Sequence, residues 1–126
     1  MDANVVVSES ERSAFLMIRQ PARRRRISMA LARHGVTVVG EIAGPEDAIP
    51  IVVEREPAML VVELTAETDD PNLRLRNENV LAFVRAARDR VPALRVIAVT
   101  ESLDVGLVAN AVSKGVDAYV RESDDF

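Results

Sequence analysis

The sequence has no cysteine and no tryptophan, one histidine, one tyrosine and three phenylalanines in 126 residues. Without cysteine there is no disulfide framework and no thiolate metal site. Aromatics make up only 3% of the chain while hydrophobic residues make up 48%, so the core has to be built from Val, Leu, Ile, Ala and Met. Such aliphatic, β-branched content suits a sheet covered on both faces. No apolar run reaches the roughly 18–20 residues of a membrane span. The N-terminus has no charged segment followed by an apolar one, so no secretory signal is expected and the cytoplasm is the expected compartment. The net charge of −4 supplies no general attraction to nucleic acid. Also missing are the Gly-Lys-Ser/Thr phosphate loop, the G-x-G-x-x-G turn and the G-x-S-x-G elbow, which removes the commonest nucleotide-binding and hydrolase signatures.

What is present is an alternation of apolar strands and amphipathic helices, in a length that suits one domain. Residues 1–12 read as a tail, with Val5-Val6-Val7 as a short extended run, and 13–126 as the domain. The first strand is Ala14 to Ile18, and Pro21 opens a helix that runs to about His34 and stops at Gly35. A second strand covers Val36 to Val39. Gly44-Pro45-Glu46-Asp47 then opens a second helix that ends before Pro57, with Pro50 in its first turn or bending it. Met59 to Leu64 is a continuous apolar run of the kind buried in parallel sheets. A polar loop is expected from Thr65 to about Asn77, then a helix from Glu78 to Arg90 carrying Val80, Phe83, Val84 and Ala87 at helical spacing. Arg95 to Val99, Leu103 to Lys114 and Ala118 to Val120 complete the series as strand, helix and strand. Five such alternations with short links predict an α/β fold with a doubly wound, parallel five-stranded sheet. The sequence stops at Phe126, where a fifth helix would begin, so the expected fold lacks that helix and leaves part of one sheet face for a partner or further chain to cover.

Several segments in this order carry a family likeness. They are Val38-Val39-Gly40-Glu41, Pro57 six residues before Glu63, Arg95-Val96-Ile97-Ala98-Val99-Thr100 and Gly115-Val116-Asp117-Ala118-Tyr119. From Ser13 to Asp125 the chain resembles the flavodoxin-like receiver domains of two-component response regulators, and among them the type that precedes a LuxR-type helix-turn-helix. In that family two acidic residues after the first strand bind Mg²⁺, and an aspartate after the third strand accepts a phosphoryl group. A Thr or Ser after the fourth strand and a Lys after the fifth contact the phosphoryl oxygens.

Carried over position by position, the resemblance places Ile18 and Arg19 where the acidic pair belongs, and Glu63 at the acceptor. Shifting the register to Arg19 and Gln20 supplies no carboxylate either. Thr100 is kept, Tyr119 keeps the aromatic that rotates on activation, and the lysine position falls on Glu122. Mg²⁺ demands hard oxygen ligands, and a site presenting Arg19 offers none. Without the metal, neither the incoming phosphoryl charge nor the leaving oxygen is stabilised. The resemblance therefore implies a degenerate pocket with no catalytic residue, no metal and no cofactor.

Other features divide between sharp and plain readings. Glu63 either mimics a phosphorylated aspartate or is an inert carboxylate paired with Arg19. Arg23-Arg24-Arg25-Arg26 opens the first helix beside the pocket, and Arg23 and Arg24 are candidate ligands for an anion. Four consecutive residues fan around a helix, so all four cannot face one ligand. Asp69-Asp70 are either replacement metal ligands or loop residues that cap a turn, and His34 sits where an imidazole meets terminal carbonyls. The long loop that holds the two aspartates exceeds the family's by several residues and could cover the pocket or reach a partner. The expected function is a non-catalytic pseudo-receiver in a transcriptional regulator, working by homodimerisation or partner binding. Dimerisation is expected through the helix 4–strand 5 face, with Val105, Val108, Ala109, Val112 and Tyr119 as candidates. DNA would be reached only through a C-terminal domain absent from the sequence. The alternatives are a sensor of a small anionic ligand and a phosphoacceptor with a rearranged site.

Overall fold

A computed structural model describes residues 12–65, 70–101 and 105–121. Five strands form one parallel sheet in the order β2-β1-β3-β4-β5, made of β1 (Ser13–Met17), β2 (Thr37–Ile42), β3 (Met59–Glu63), β4 (Arg95–Thr100) and β5 (Ala118–Arg121). Four helices connect them: α1 (Pro21–Arg33), α2 (Ile49–Arg55), α3 (Pro71–Arg90) and α4 (Val105–Ser113). The predicted α/β doubly wound architecture is thus the observed one. Residues 1–11, with Val5-Val6-Val7, and residues 122–126, with Glu122 and the start of any fifth helix, lie outside the described residues.

Central position explains composition. Every residue of β1 is buried, because both sheet faces are covered there. Alternate side chains go to opposite faces: Phe15 and Met17 join Leu60, Val62, Val96 and Ala98 under α2, α3 and α4. Ala14, Leu16, Ile18, Val61 and Val99 join Ile27 of α1 in a smaller cluster. Among the described residues α1 is the only helix on that second face. Beside it runs an apolar groove of about 140 Å³ between Ile27, Leu31, Met59, Ile97 and Val120.

The family-like segments have local causes. Between β1 and β2 the register slips, so Ala14 faces Val38 and Phe15 faces Gly40. The bulged Val39 turns its carbonyl to the Arg55 guanidinium. A Cβ on Gly40 would lie 2.4 Å from the Phe15 ring, which is why glycine stands there. In the segment before β5, Asp117 accepts from the Val96 amide at 2.8 Å and from Arg88 at 2.5 Å, tying α3 to two strands. Gly115 at φ +108° makes that turn in a conformation that L side chains avoid.

Two helix starts differ from expectation. The predicted loop from Thr65 to Asn77 is helical from Pro71 onward, so α3 is 20 residues long. Asp70 is its N-cap and accepts from the Asn72 amide at 2.9 Å, with Pro71 at the first helical position. Of the aspartate pair, Asp70 therefore has a structural role at the helix start, and Asp69 lies outside the described residues. The second helix starts at Ile49 rather than at Gly44-Pro45-Glu46-Asp47, because Asp47 takes a left-handed φ of 58° that a helix cannot include, and Pro50 sits in the first turn of α2 as expected.

Candidate functional site

The order 2-1-3 makes β1 and β3 neighbours whose connections leave in opposite directions, opening a crevice at their carboxyl ends. Glu63 closes β3 at this crevice. Its side chain is 8% exposed and both carboxylate oxygens are used. Oε1 accepts the Arg19 backbone amide at 2.9 Å, and Oε2 pairs with the Arg23 guanidinium. The second nitrogen of Arg23 donates to Glu101 Oε1 at 2.8 Å.

Arg23 reaches this place because of its position in α1. Arg23, Ile27 and Ala30 form the buried stripe of the helix at i, i+4 and i+7. The fan of four arginines thus sends Arg23 inward, with 4% exposure, and leaves Arg25 and Arg26 in solvent. Arg24 is half-buried; it donates to the Ile18 carbonyl at 2.9 Å and pairs with Glu41 at 3.4 Å. Both candidate anion ligands are therefore held by partners within the chain. The expected partner of Glu63 needs a correction in the same sense: Arg19 contributes its backbone N–H, and the guanidinium that meets the carboxylate is that of Arg23.

Burying a guanidinium and a carboxylate together removes both from water. That is tolerable only when the remaining donors and acceptors are met. The arrangement largely satisfies this through the Arg19 amide and Glu101. The Glu101 side chain is 66% exposed, so its pairing is the weaker arm of the bridge.

The remaining pocket positions fall as follows. Ile18 is fully buried in the cluster under α1, an apolar side chain where the resemblance asks for an acid. Thr100 is also fully buried, and its Oγ1 has no hydrogen-bond partner among the described residues. Tyr119 packs half-buried against the larger core cluster.

On donor chemistry the site does not fit a divalent cation. The exit of β1 offers Ile18 and Arg19, Glu63 has both oxygens engaged, and a cation-sized charge already sits against it. Among the described residues there is no group of three or more His, Cys, Asp or Glu side chains that could hold a metal.

On the other side of Glu63 the crevice widens into a cleft of about 450 Å³. Its walls come from the β1 exit (Met17, Arg19), the β2–α2 loop (Gly44, Pro45, Glu46) and α3 (Arg76, Asn79, Val80). The first turns of α3, expected as loop, thus build one wall. Asn77 fixes that wall to the end of β3: its Oδ1 accepts the Thr65 amide at 2.9 Å, and its Nδ2 donates to the Thr65 carbonyl at 2.9 Å. Sequence reasoning missed Asn77 and Arg76 because it placed them in a loop. The Asp70-Pro71 pair was the signal that would have found them.

The chain has the fold of a response-regulator receiver domain. A response regulator from Burkholderia pseudomallei, whose structure holds a phosphorylated aspartic acid, a calcium ion and citrate, superposes with a TM-score of 0.72 at 17% identity over 90% of this chain. The present chain spans 61% of that protein. A LuxR-family response regulator from Aurantimonas gives a TM-score of 0.72 at 23% identity, covering 90% of this chain and 75% of its own. For a response regulator from Thermotoga maritima the values are 0.73, 16%, 90% and 86%. No protein-family model and no curated protein matches the sequence. No helix among the described residues is long and apolar enough to cross a membrane.

Proposed function

We propose that this domain is a pseudo-receiver: a cytoplasmic, non-catalytic regulatory module of a response-regulator-type transcriptional regulator. It acts by contacts with itself or a protein partner, without aspartyl phosphorylation. The observation that carries this reading is the Arg23 guanidinium, buried between Glu101 and Glu63, the residue that the resemblance puts at the acceptor position. Phosphoryl transfer relies on positioning and on cationic stabilisation of the transferred group. A guanidinium engaged by Glu63 is not free to bridge an incoming phosphoryl group and the acceptor together. Glu63 is also one methylene longer than aspartate, which disturbs the in-line approach.

The surface for self-association is the outer face of α4. Leu107 and Ala111 turn inward, while Val105 is 88% and Val112 59% exposed, with Ala109 exposed and Val108 half-buried between them. Contact with DNA is assigned to a further domain of the regulator. Incubation with acetyl phosphate and Mg²⁺, read by intact-protein and peptide mass spectrometry, should leave Glu63 unmodified. The Glu63→Asp variant should stay unmodified as well, because Ile18 and Arg19 still supply no carboxylate. A Mg²⁺-dependent phosphoryl adduct on Glu63 in the unaltered protein would overturn the reading.

A further inference from the structure

We infer that the cleft between the β2–α2 loop and α3 binds a small ligand that joins an oxyanion, carboxylate or phosphate, to a short apolar portion. The cleft holds about 450 Å³, within the range of roughly 300–1,000 Å³ usual for small-molecule sites. Its charge balance sets the chemistry. Arg19 and Arg76 line it from different elements, and among the described residues neither guanidinium makes a hydrogen bond or ion pair. Of the two carboxylates among the described lining residues, Glu63 is paired from behind with Arg23, which leaves Glu46 against two uncommitted cations.

Position separates these two arginines from Arg23. They sit at the open edge of a concave site, where guanidinium forks can take an oxyanion in two-point contact at little desolvation cost. Met17, Pro45 and Val80 supply the apolar wall against which the rest of such a ligand packs. Asn77, bonded to Thr65 on three sides, holds α3 in register with β3, so the cleft is formed before a ligand arrives. Pre-formed walls lower the ordering cost of binding. This site is distinct from the Arg23 and Arg24 positions to which the sequence pointed, and it goes beyond the pseudo-receiver reading.

The test is an amide ¹H–¹⁵N NMR titration of the whole chain with hexanoate and with hexyl phosphate, using hexanol as the uncharged control. Saturable shifts are expected at Arg19, Gly44, Thr65, Asn77 and Val80 with at least one of the two anions, and none with hexanol. The anion that binds more tightly identifies the headgroup. Arg19→Ser and Arg76→Ser alter exposed side chains that support no packing, and each should weaken binding by about tenfold, the loss of a charge-assisted contact. Absence of shifts with both anions, equal shifts with hexanol, or undiminished binding in the Arg19→Ser and Arg76→Ser variants would each overturn the inference. The titration contains neither Mg²⁺ nor a phosphoryl donor, so its failure and the failure of the pseudo-receiver reading are separate results.

Discussion

The Glu63 side chain divides the carboxyl edge of the sheet into two halves that handle arginine differently. Toward α1 the half is closed: Arg23 is buried, its charge is matched by Glu63 and Glu101, and the helix itself brings it inward on the stripe shared with Ile27 and Ala30. Toward α3 the half is open: Arg19 and Arg76 border a cleft with apolar walls and no partner of their own among the described residues. A buried guanidinium must be satisfied internally, so it becomes part of the framework. An exposed one at a concave edge stays available. The same residue type is therefore structural in one half and a recognition group in the other, and burial decides which.

The sharpest way to break this contrast is Arg23→Ala, which leaves the Glu63 carboxylate buried with only the Arg19 amide. Loss of one partner from a buried pair should cost about 3–5 kcal/mol in a denaturant titration. If the variant stays within about 1 kcal/mol of the parent, the half is not closed as described. The double change Arg23→Met with Glu63→Leu should recover most of the loss, since a packed apolar pair often matches a buried ion pair.

Next in size is Asn77→Ala, expected to cost about 1–3 kcal/mol by stranding the Thr65 amide and loosening the α3 wall. The same variant should broaden the cleft resonances while leaving the amides around Arg23 in place. Changes around Arg23 as large as those around Thr65 would mean that the two halves are one unit. Glu101→Gln touches a pair with one exposed partner and should cost no more than about 1 kcal/mol. The smallest effect belongs to Arg76→Ser, within about 0.5 kcal/mol of the parent, because nothing in the folded chain depends on its charge. A larger loss would show that Arg76 has a structural partner and would move it into the closed half.

The framework was legible in the sequence because burial on both faces imposes continuous apolar runs, as at Met59–Val62, and short polar links between them. Strand and helix boundaries followed within a few residues wherever apolar spacing marked them. The exception is instructive. The first two turns of α3 extend past the core, and Pro71, Asn72, Arg74, Leu75 and Arg76 are exposed, so no buried stripe appears in their spacing. Only the capping chemistry of Asp70-Pro71 announced the helix. At the site, the lack of a carboxylate at Ile18 and Arg19 is plain in the sequence. The Arg23–Glu63 pair could not, because it joins residues 40 positions apart and depends on which of four adjacent arginines faces inward. That choice was encoded in the Ile27 and Ala30 spacing, which aligns with Arg23 alone of the four.

The packing of Phe15 on Gly40 limits how this edge of the sheet can change. A side chain at position 40 would meet ring carbons at 2.4 and 2.7 Å, so a substitution there forces the Phe15 ring or the strand to shift. Positions 15 and 40 therefore act as one packing unit across 25 residues of chain, in which volume added on one strand has to be met by volume moved or removed on the other.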